Sequence, residues 1–212
     1  MDGGAVDAGR RRRKVVGLLA REQRPTPCSW RDLRRNVDIL MEGLIYWFHD
    51  LKVELTSAAL VSMISHRQDG FFSKEAGGQM FAKLSSDHWR IEVATGPRHG
   101  DKRGRFHFWP NRKAEQEEIN HFYEQGLEFV GDWHTHPENV PRPSRQDVTS
   151  VQNIVRESVH HLPGVLMCIV GRKDPPAGIW MSFHHTDGRQ SAPSEGLENP
   201  SGKDIRRRVR WI

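Results

Sequence analysis

The sequence predicts one mixed α/β domain over roughly residues 41–190, a mixed β-sheet packed between helices, and three observations carry that expectation. Residues 79–84 and 89–95 alternate in side-chain type around the polar Ser85-Ser86-Asp87 connection, which reads as a hairpin. The apolar runs 165–170 and 179–183 have the length of buried strands. Between these, apolar residues recur at helical spacing, so strands and helices are interleaved around one core.

Taken in order, Leu55, Ala58, Ala59, Val61 and Met63 predict a helix over 55–64, closed by Asp69-Gly70. The hairpin follows. Residues 96–105 hold three glycines and four Lys/Arg, which predicts an exposed, mobile loop. A short strand is expected at 106–109, and Pro110 opens a helix to about Gln125, with Ile119, Phe122 and Tyr123 on one face and Gly126 as its stop. Residues 127–133 return as a strand. Val148, Val151, Val155 and Val159 then mark a further helix, and the two apolar runs complete the sheet.

Composition narrows the class. Among 212 residues, 36% are hydrophobic, and no apolar run approaches the roughly 20 residues of a membrane span. Residues 1–40 lack an apolar core with a small-residue cleavage site, so a non-exported, cytoplasmic protein is expected. With Cys28 and Cys168 alone, and Cys168 inside an apolar run, a disulfide framework is not expected. The net charge of +5 resides in residues 1–40, which carry ten Lys/Arg and five Asp/Glu, while the remainder is neutral. That basic arm, rich in Arg, Gly and Pro, reads as a poorly ordered extension, and residues 191–212 as a polar and basic tail. Such arms are usually solvated, and nucleic acid is not the expected partner.

The chemistry concentrates in Gly131-Asp132-Trp133-His134-Thr135-His136-Pro137, followed after six residues by Ser144-Arg145-Gln146-Asp147. Alternation along a strand puts His134 and His136 on one face, where two imidazoles can meet one metal, and puts Trp133 on the opposite, core-facing side. Ser144 and Asp147 have capping-box spacing at the start of the valine-striped helix, from which Asp147 can face the histidines. Two imidazoles and a carboxylate, with a fourth position open, suit a catalytic zinc ion better than a structural one, which normally recruits thiolates. The pairs His160-His161 and His184-His185 point apart and read as element ends or surface. The remaining histidines, His107 among them, have no ligand partner at useful spacing.

His134-Thr135-His136-Pro137, Ser144 and Asp147 in this spacing resemble the signature of the JAMM (MPN-plus) zinc metalloproteases, whose domain is of the cytidine-deaminase-like type. The resemblance implies an upstream glutamate as general base, and the matching position is Glu75 in Ser73-Lys74-Glu75-Ala76-Gly77-Gly78. Glu54, Glu92 and Glu128 lack that glycine context. Ala94-Thr95-Gly96-Pro97, Asp101, Phe106-His107-Phe108, Gln116 and Gly131-Asp132-Trp133 are further similar to the JAMM deconjugases of bacterial antiphage (CBASS) operons.

That likeness implies one catalytic zinc on His134, His136 and Asp147. Glu75 would move the proton of the attacking water, and Ser144 would donate a hydrogen bond to the developing oxyanion. The implied substrate is an amide or isopeptide after a C-terminal glycine, joining a ubiquitin-like protein or a CD-NTase nucleotidyltransferase to a lysine. Residues 96–105 are a candidate substrate flap. Two other readings remain open: a RadC-like protein with a DNA-linked role, and a non-catalytic MPN scaffold that only binds partners.

Overall fold

The computed structural model describes residues 42–193, so the expectations for the N-terminal arm and for the tail beyond residue 193 lie outside the described residues. Ten strands and three helices follow in the order β1 (Leu44–Phe48), β2 (Leu51–Leu55), α1 (Ser57–Ile64), β3 (Gly77–Leu84), β4 (His88–Ala94), β5 (Lys102–Arg103), β6 (Phe108–Trp109), α2 (Arg112–Glu124), β7 (Glu128–Thr135), α3 (Arg145–Glu157), β8 (Gly164–Val170), β9 (Ile179–His185) and β10 (Gln190–Ser191). Eight of the strands form one sheet in the order β1-β2-β4-β3-β7-β8-β9-β10, and β5 and β6 make a separate two-stranded ribbon. The β2/β4 and β7/β8 pairs are parallel and the other pairs antiparallel, so the sheet is mixed, as expected.

Strand β8 shows how the sheet is covered. It is buried along its whole length, which is why its sequence is a continuous apolar run with no alternation of type. Leu166, Cys168 and Val170 enter the main core with Ala59, Leu60 and Met63 of α1 and with Tyr46 and Phe48 of β1. Val165, Met167 and Ile169 face the other way, onto Val151, Ile154 and Val155 of α3. Helix α2 covers the same side further along, with Phe122 packed on Phe81 of β3 at 4.4 Å between ring centroids. The layers are therefore helix, sheet, helices.

Several boundaries differ from expectation. The helix predicted from Leu55 starts at Ser57, because Leu55 is the last residue of β2 and Thr56 caps the helix, its side chain accepting from the Ala59 N–H. The strand predicted over 106–109 is shortened to Phe108–Trp109, since Gly104 donates to the His107 carbonyl and closes a turn there. Val159 lies beyond α3, whose C-cap Ser158 is extended, and it is fully exposed rather than part of the apolar stripe. Loop 96–105 is not the expected open segment. The Arg98 side chain is buried and ion-paired to Glu118 at 2.5 Å and to Glu115 at 3.6 Å, both on α2. Asp101 accepts from the backbone N–H groups of Arg98 and Asn111, tying the loop to the start of α2.

Candidate metal and proton-transfer centre

The register of β7 sets the site. His134 pairs with Gly77 of β3 on one side and Ile169 of β8 on the other. One residue past the strand, His136 still donates its backbone N–H to the Val170 carbonyl, so both imidazoles leave from one sheet face. Their Nε2 atoms are 3.2 Å apart. Pro137 ends the strand, and the crossing that follows is pinned where Arg172 and Lys173 donate backbone N–H groups to the Glu138 and Asn139 carbonyls. It delivers Ser144 as the N-cap of α3 in a reciprocal capping box: Ser144 Oγ accepts from the Asp147 N–H at 3.2 Å and Asp147 Oδ2 accepts from the Ser144 N–H at 2.6 Å. A carboxylate in the first turn also suits the positive end of the helix dipole. Asp147 Oδ1 is 3.4 Å from His134 Nε2, and its Oδ2 is 3.4 Å from His136 Nε2.

Glu75 enters from the segment just ahead of β3. Thr135, between the two histidines, donates its N–H to the Ala76 carbonyl, and its hydroxyl oxygen accepts from the Ala76 N–H. Buried Gln68 links the neighbouring segments: its Oε1 accepts from the Thr135 hydroxyl, and its Nε2 donates to the carbonyls of Ser73 and Arg105. The Glu75 N–H donates to the Gly104 carbonyl, and Arg103 Nε donates to the Glu75 carbonyl. Gly77 is required by close approach, since a Cβ there would lie 2.7 Å from the Phe108 ring. The outcome is that ligand atoms of Glu75, His134 and His136 all lie within 4.8 Å of one another.

The electrostatics of the four groups are coupled. Burial pushes the Glu75 carboxyl up to about 7, with His136 opposing and Asp147 reinforcing the rise. Burial also acts on Asp147, but hydrogen bonds from His134, His136 and the Ser144 backbone overcome it and hold the carboxyl well below the usual range. Burial disfavours the charged His136 ring, yet Asp147, Glu75 and Glu138 together raise its pKa. Two imidazole nitrogens and a carboxylate thus converge on one point, an arrangement that calls for a cation.

The donor set fits zinc. Tetrahedral zinc keeps its ligand atoms about 3.3 Å apart; here the two Nε2 atoms are 3.2 Å apart, and each lies 3.4 Å from a different oxygen of Asp147. Glu75 lies beside the histidine pair, with a carboxylate oxygen within 4.8 Å of a nitrogen of each ring.

All five residues singled out in the sequence, Glu75, His134, His136, Ser144 and Asp147, line one cleft of about 430 Å³. The other acids are elsewhere: Glu54 is bonded to His88 and Arg90, and Glu92 to Lys83. Trp133 points to the opposite face, as alternation required, and its indole N–H donates to the Thr95 carbonyl at 2.8 Å. His184 is buried rather than superficial, paired with Ser182 at 3.0 Å, and burial lowers its pKa to about 4.

Sequence reading missed part of the cleft. His107, set aside for want of a ligand partner, lines it with Phe106, Phe108 and Trp109 from the ribbon. At another part of the wall lie Asp132 and Glu115, with Arg112 donating to Glu115 at 2.8 Å. Among the described residues Asp132 Oδ1 is buried without a hydrogen-bond partner, and burial together with Glu115 pushes that carboxyl up to about 7. The period-two rule that placed His134 and His136 together also places Asp132 on their face, so this member was within reach of the sequence.

These residues fall within a stretch, 57–183, that matches the family described as prokaryotic homologs of the JAB domain. The chain belongs to that family. Among curated relatives, the CD-NTase/cGAS isopeptidase of Escherichia coli (strain TW11681) is 32% identical over 136 residues, covering 62% of this chain and 81% of that protein. A protein of the same name from Vibrio cholerae serotype O1 (strain ATCC 39315 / El Tor Inaba N16961) is 30% identical over 129 residues, 59% of this chain and 80% of its own length. Among solved structures, that of protein DSY2949 from Desulfitobacterium hafniense matches with a TM-score of 0.46 and 18% identity, covering 63% of this chain and 86% of that one.

Proposed function

We propose that the protein is a zinc-dependent isopeptidase that hydrolyses the amide bond after a C-terminal glycine, releasing a CD-NTase or a ubiquitin-like protein from its lysine conjugate in CBASS-type antiphage defence. The observation that carries the reading is the buried Glu75 carboxyl beside the converging His134, His136 and Asp147 donors. The names of the relatives support the reaction class and the CD-NTase substrate.

His134, His136 and Asp147 would hold the zinc, which supplies Lewis acidity for activating water and polarising a carbonyl. Glu75 accepts the proton of the attacking water and passes it to the leaving lysine nitrogen, so the amide is exchanged for a carboxylate and an amine. Its position at the edge of the histidine pair keeps one carboxyl in reach of both steps. In Ser144 the capping interaction uses an Oγ lone pair, accepting from the Asp147 N–H. The hydroxyl proton therefore remains available for an oxyanion on the substrate carbonyl.

The test is a panel of folded proteins ending in glycine and joined to lysine, incubated with zinc-loaded wild type and with Glu75→Ala. Wild type is expected to cleave at the glycine and Glu75→Ala to leave the conjugates intact. Zinc-loaded wild type that cuts none of them would refute the reading. In the same assay Ser144→Ala should lose about 100–1000-fold in turnover while retaining zinc. Full activity in that variant would remove Ser144 from the oxyanion role.

A further inference from the structure

Beside the cleft the protein displays aromatic side chains that its own core does not use. Phe71, Phe72 and Phe106 are 74%, 91% and 72% exposed. Neither Phe71 nor Phe72 is there through slack in the chain. The Ser73 N–H donates to the Gly70 carbonyl and the Gly70 N–H to Ser73 Oγ, closing the turn that presents both rings, and Gln68 anchors it from below through the Ser73 carbonyl. The two rings meet edge to face at 5.2 Å. The guanidinium of Arg105 lies 4.3 Å over the Phe71 ring and 5.3 Å from Phe106, joining the turn to the ribbon. Phe106 itself lines the catalytic cleft, so the surface runs on from the cleft mouth without a break.

Its charge is mostly positive, although Asp69 is exposed in the same turn. Lys74 and Lys102 are exposed in the same segments, and neither they nor Arg105 forms an ion pair among the described residues. Exposed aromatics held rigid, with Arg at their centre, have the composition of interface hot spots, and their fixed geometry lowers the entropic cost of docking.

We propose that Phe71, Phe72, Arg105 and Phe106 form a docking surface for the folded body of the conjugated protein, which meets it with an apolar patch bordered by Asp and Glu. The inference rests on the isopeptidase reading, in which the glycine tail occupies the cleft and the body to which it belongs must lie at the mouth. Protein is favoured over nucleic acid because Arg105 already fills the space between Phe71 and Phe106 where a base would have to stack.

The experiment compares full-length wild type with the double variant Phe71→Ser/Phe72→Ser on two substrates: the folded conjugate that wild type cleaves in the panel above, and a ten-residue peptide carrying the same isopeptide bond. The variant is expected to lose about 10–100-fold in kcat/KM on the folded conjugate, through KM, and to cut the peptide like wild type. Charge reversal by Lys102→Glu should raise KM for the conjugate in the same direction, most strongly at low salt. Equal KM values for wild type and the double variant would overturn the proposal while leaving the isopeptidase reading intact. Failure of wild type on every conjugate would overturn both. Salt-dependent binding of labelled single-stranded DNA that the double variant loses, or a dimer that it dissociates, would reassign the surface to nucleic acid or to a second copy.

Discussion

Glu75→Gln is expected to retain zinc and to lose about 10²–10⁴-fold in turnover, the usual worth of a positioned acid-base group. The amide is nearly isosteric with the carboxyl, and the segment that carries it is held by backbone bonds to Gly104 and Thr135 that the substitution does not touch. What changes is the ability to accept a proton from water and return it to nitrogen. Measured on a cleaved conjugate, the fall should appear in kcat with KM little altered. Activity within tenfold of wild type would show that Glu75 is not the base.

The same substitution has a consequence for stability in the zinc-free protein. The Glu75 carboxyl titrates near 7 when folded, against an ordinary value of 4.5, because burial disfavours its charge. Between those values the folded state binds the proton more tightly than the unfolded chain, so this group's contribution falls as pH rises from about 4.5 and is fully lost above about 7. Gln has no proton to lose. Chelated Glu75→Gln should therefore unfold at a higher denaturant midpoint than chelated wild type. The gap should widen between about pH 4.5 and 7 and stay constant above that. A gap that does not change with pH would mean that Glu75 is not buried as a carboxyl.

The parts of the fold that were legible in the sequence are those fixed by local pattern. Alternation announced the β3–β4 hairpin, Gly126 with its φ of 76° stopped α2, and Ser144 three residues before Asp147 announced the cap of α3. Strand β1 escaped because Leu44–Phe48 is an apolar run buried on nearly every residue, which leaves no alternation to read, whereas β2 was missed although Leu51, Val53 and Leu55 alternate with Lys52 and Glu54. Loop 96–105 was misread for a related reason. Glycines and basic residues signal exposure only when nothing neutralises them, and the partners of Arg98 are Glu115 and Glu118, some twenty residues further on. In the site, His134, His136 and Asp147 followed from strand period and capping geometry. Glu75 followed from family likeness alone, because its approach depends on Thr135 and Gln68 drawing distant segments together.

Asp147→Asn separates the two roles that one carboxylate is asked to play. As the third residue of α3 it accepts from the Ser144 N–H, a bond the carbonyl oxygen of Asn can also accept. As a ligand it supplies the negative charge facing both imidazoles at 3.4 Å, which a neutral amide cannot replace. Zinc-free Asp147→Asn should therefore keep the cap but lose the charged form that the two imidazoles favour, and unfold below zinc-free wild type, whereas Asp147→Ala, which also loses the cap, should fall lower still by about 1 kcal/mol. Zinc affinity should drop by at least about 100-fold in both variants, the upper end of what losing even an outer partner of a metal ligand costs. Unfolding midpoints with and without added zinc report both quantities. Zinc at 100 times its dissociation constant stabilises the folded state by about 2.7 kcal/mol, and at that concentration a variant with a 100-fold weaker site retains less than a fifth of this. Conjugate cleavage should vanish with the metal in both. An Asp147→Asn variant that binds zinc like wild type would reduce Asp147 to a helix cap and leave Glu75, His134 and His136, among the described residues, as the donors close enough to share an ion.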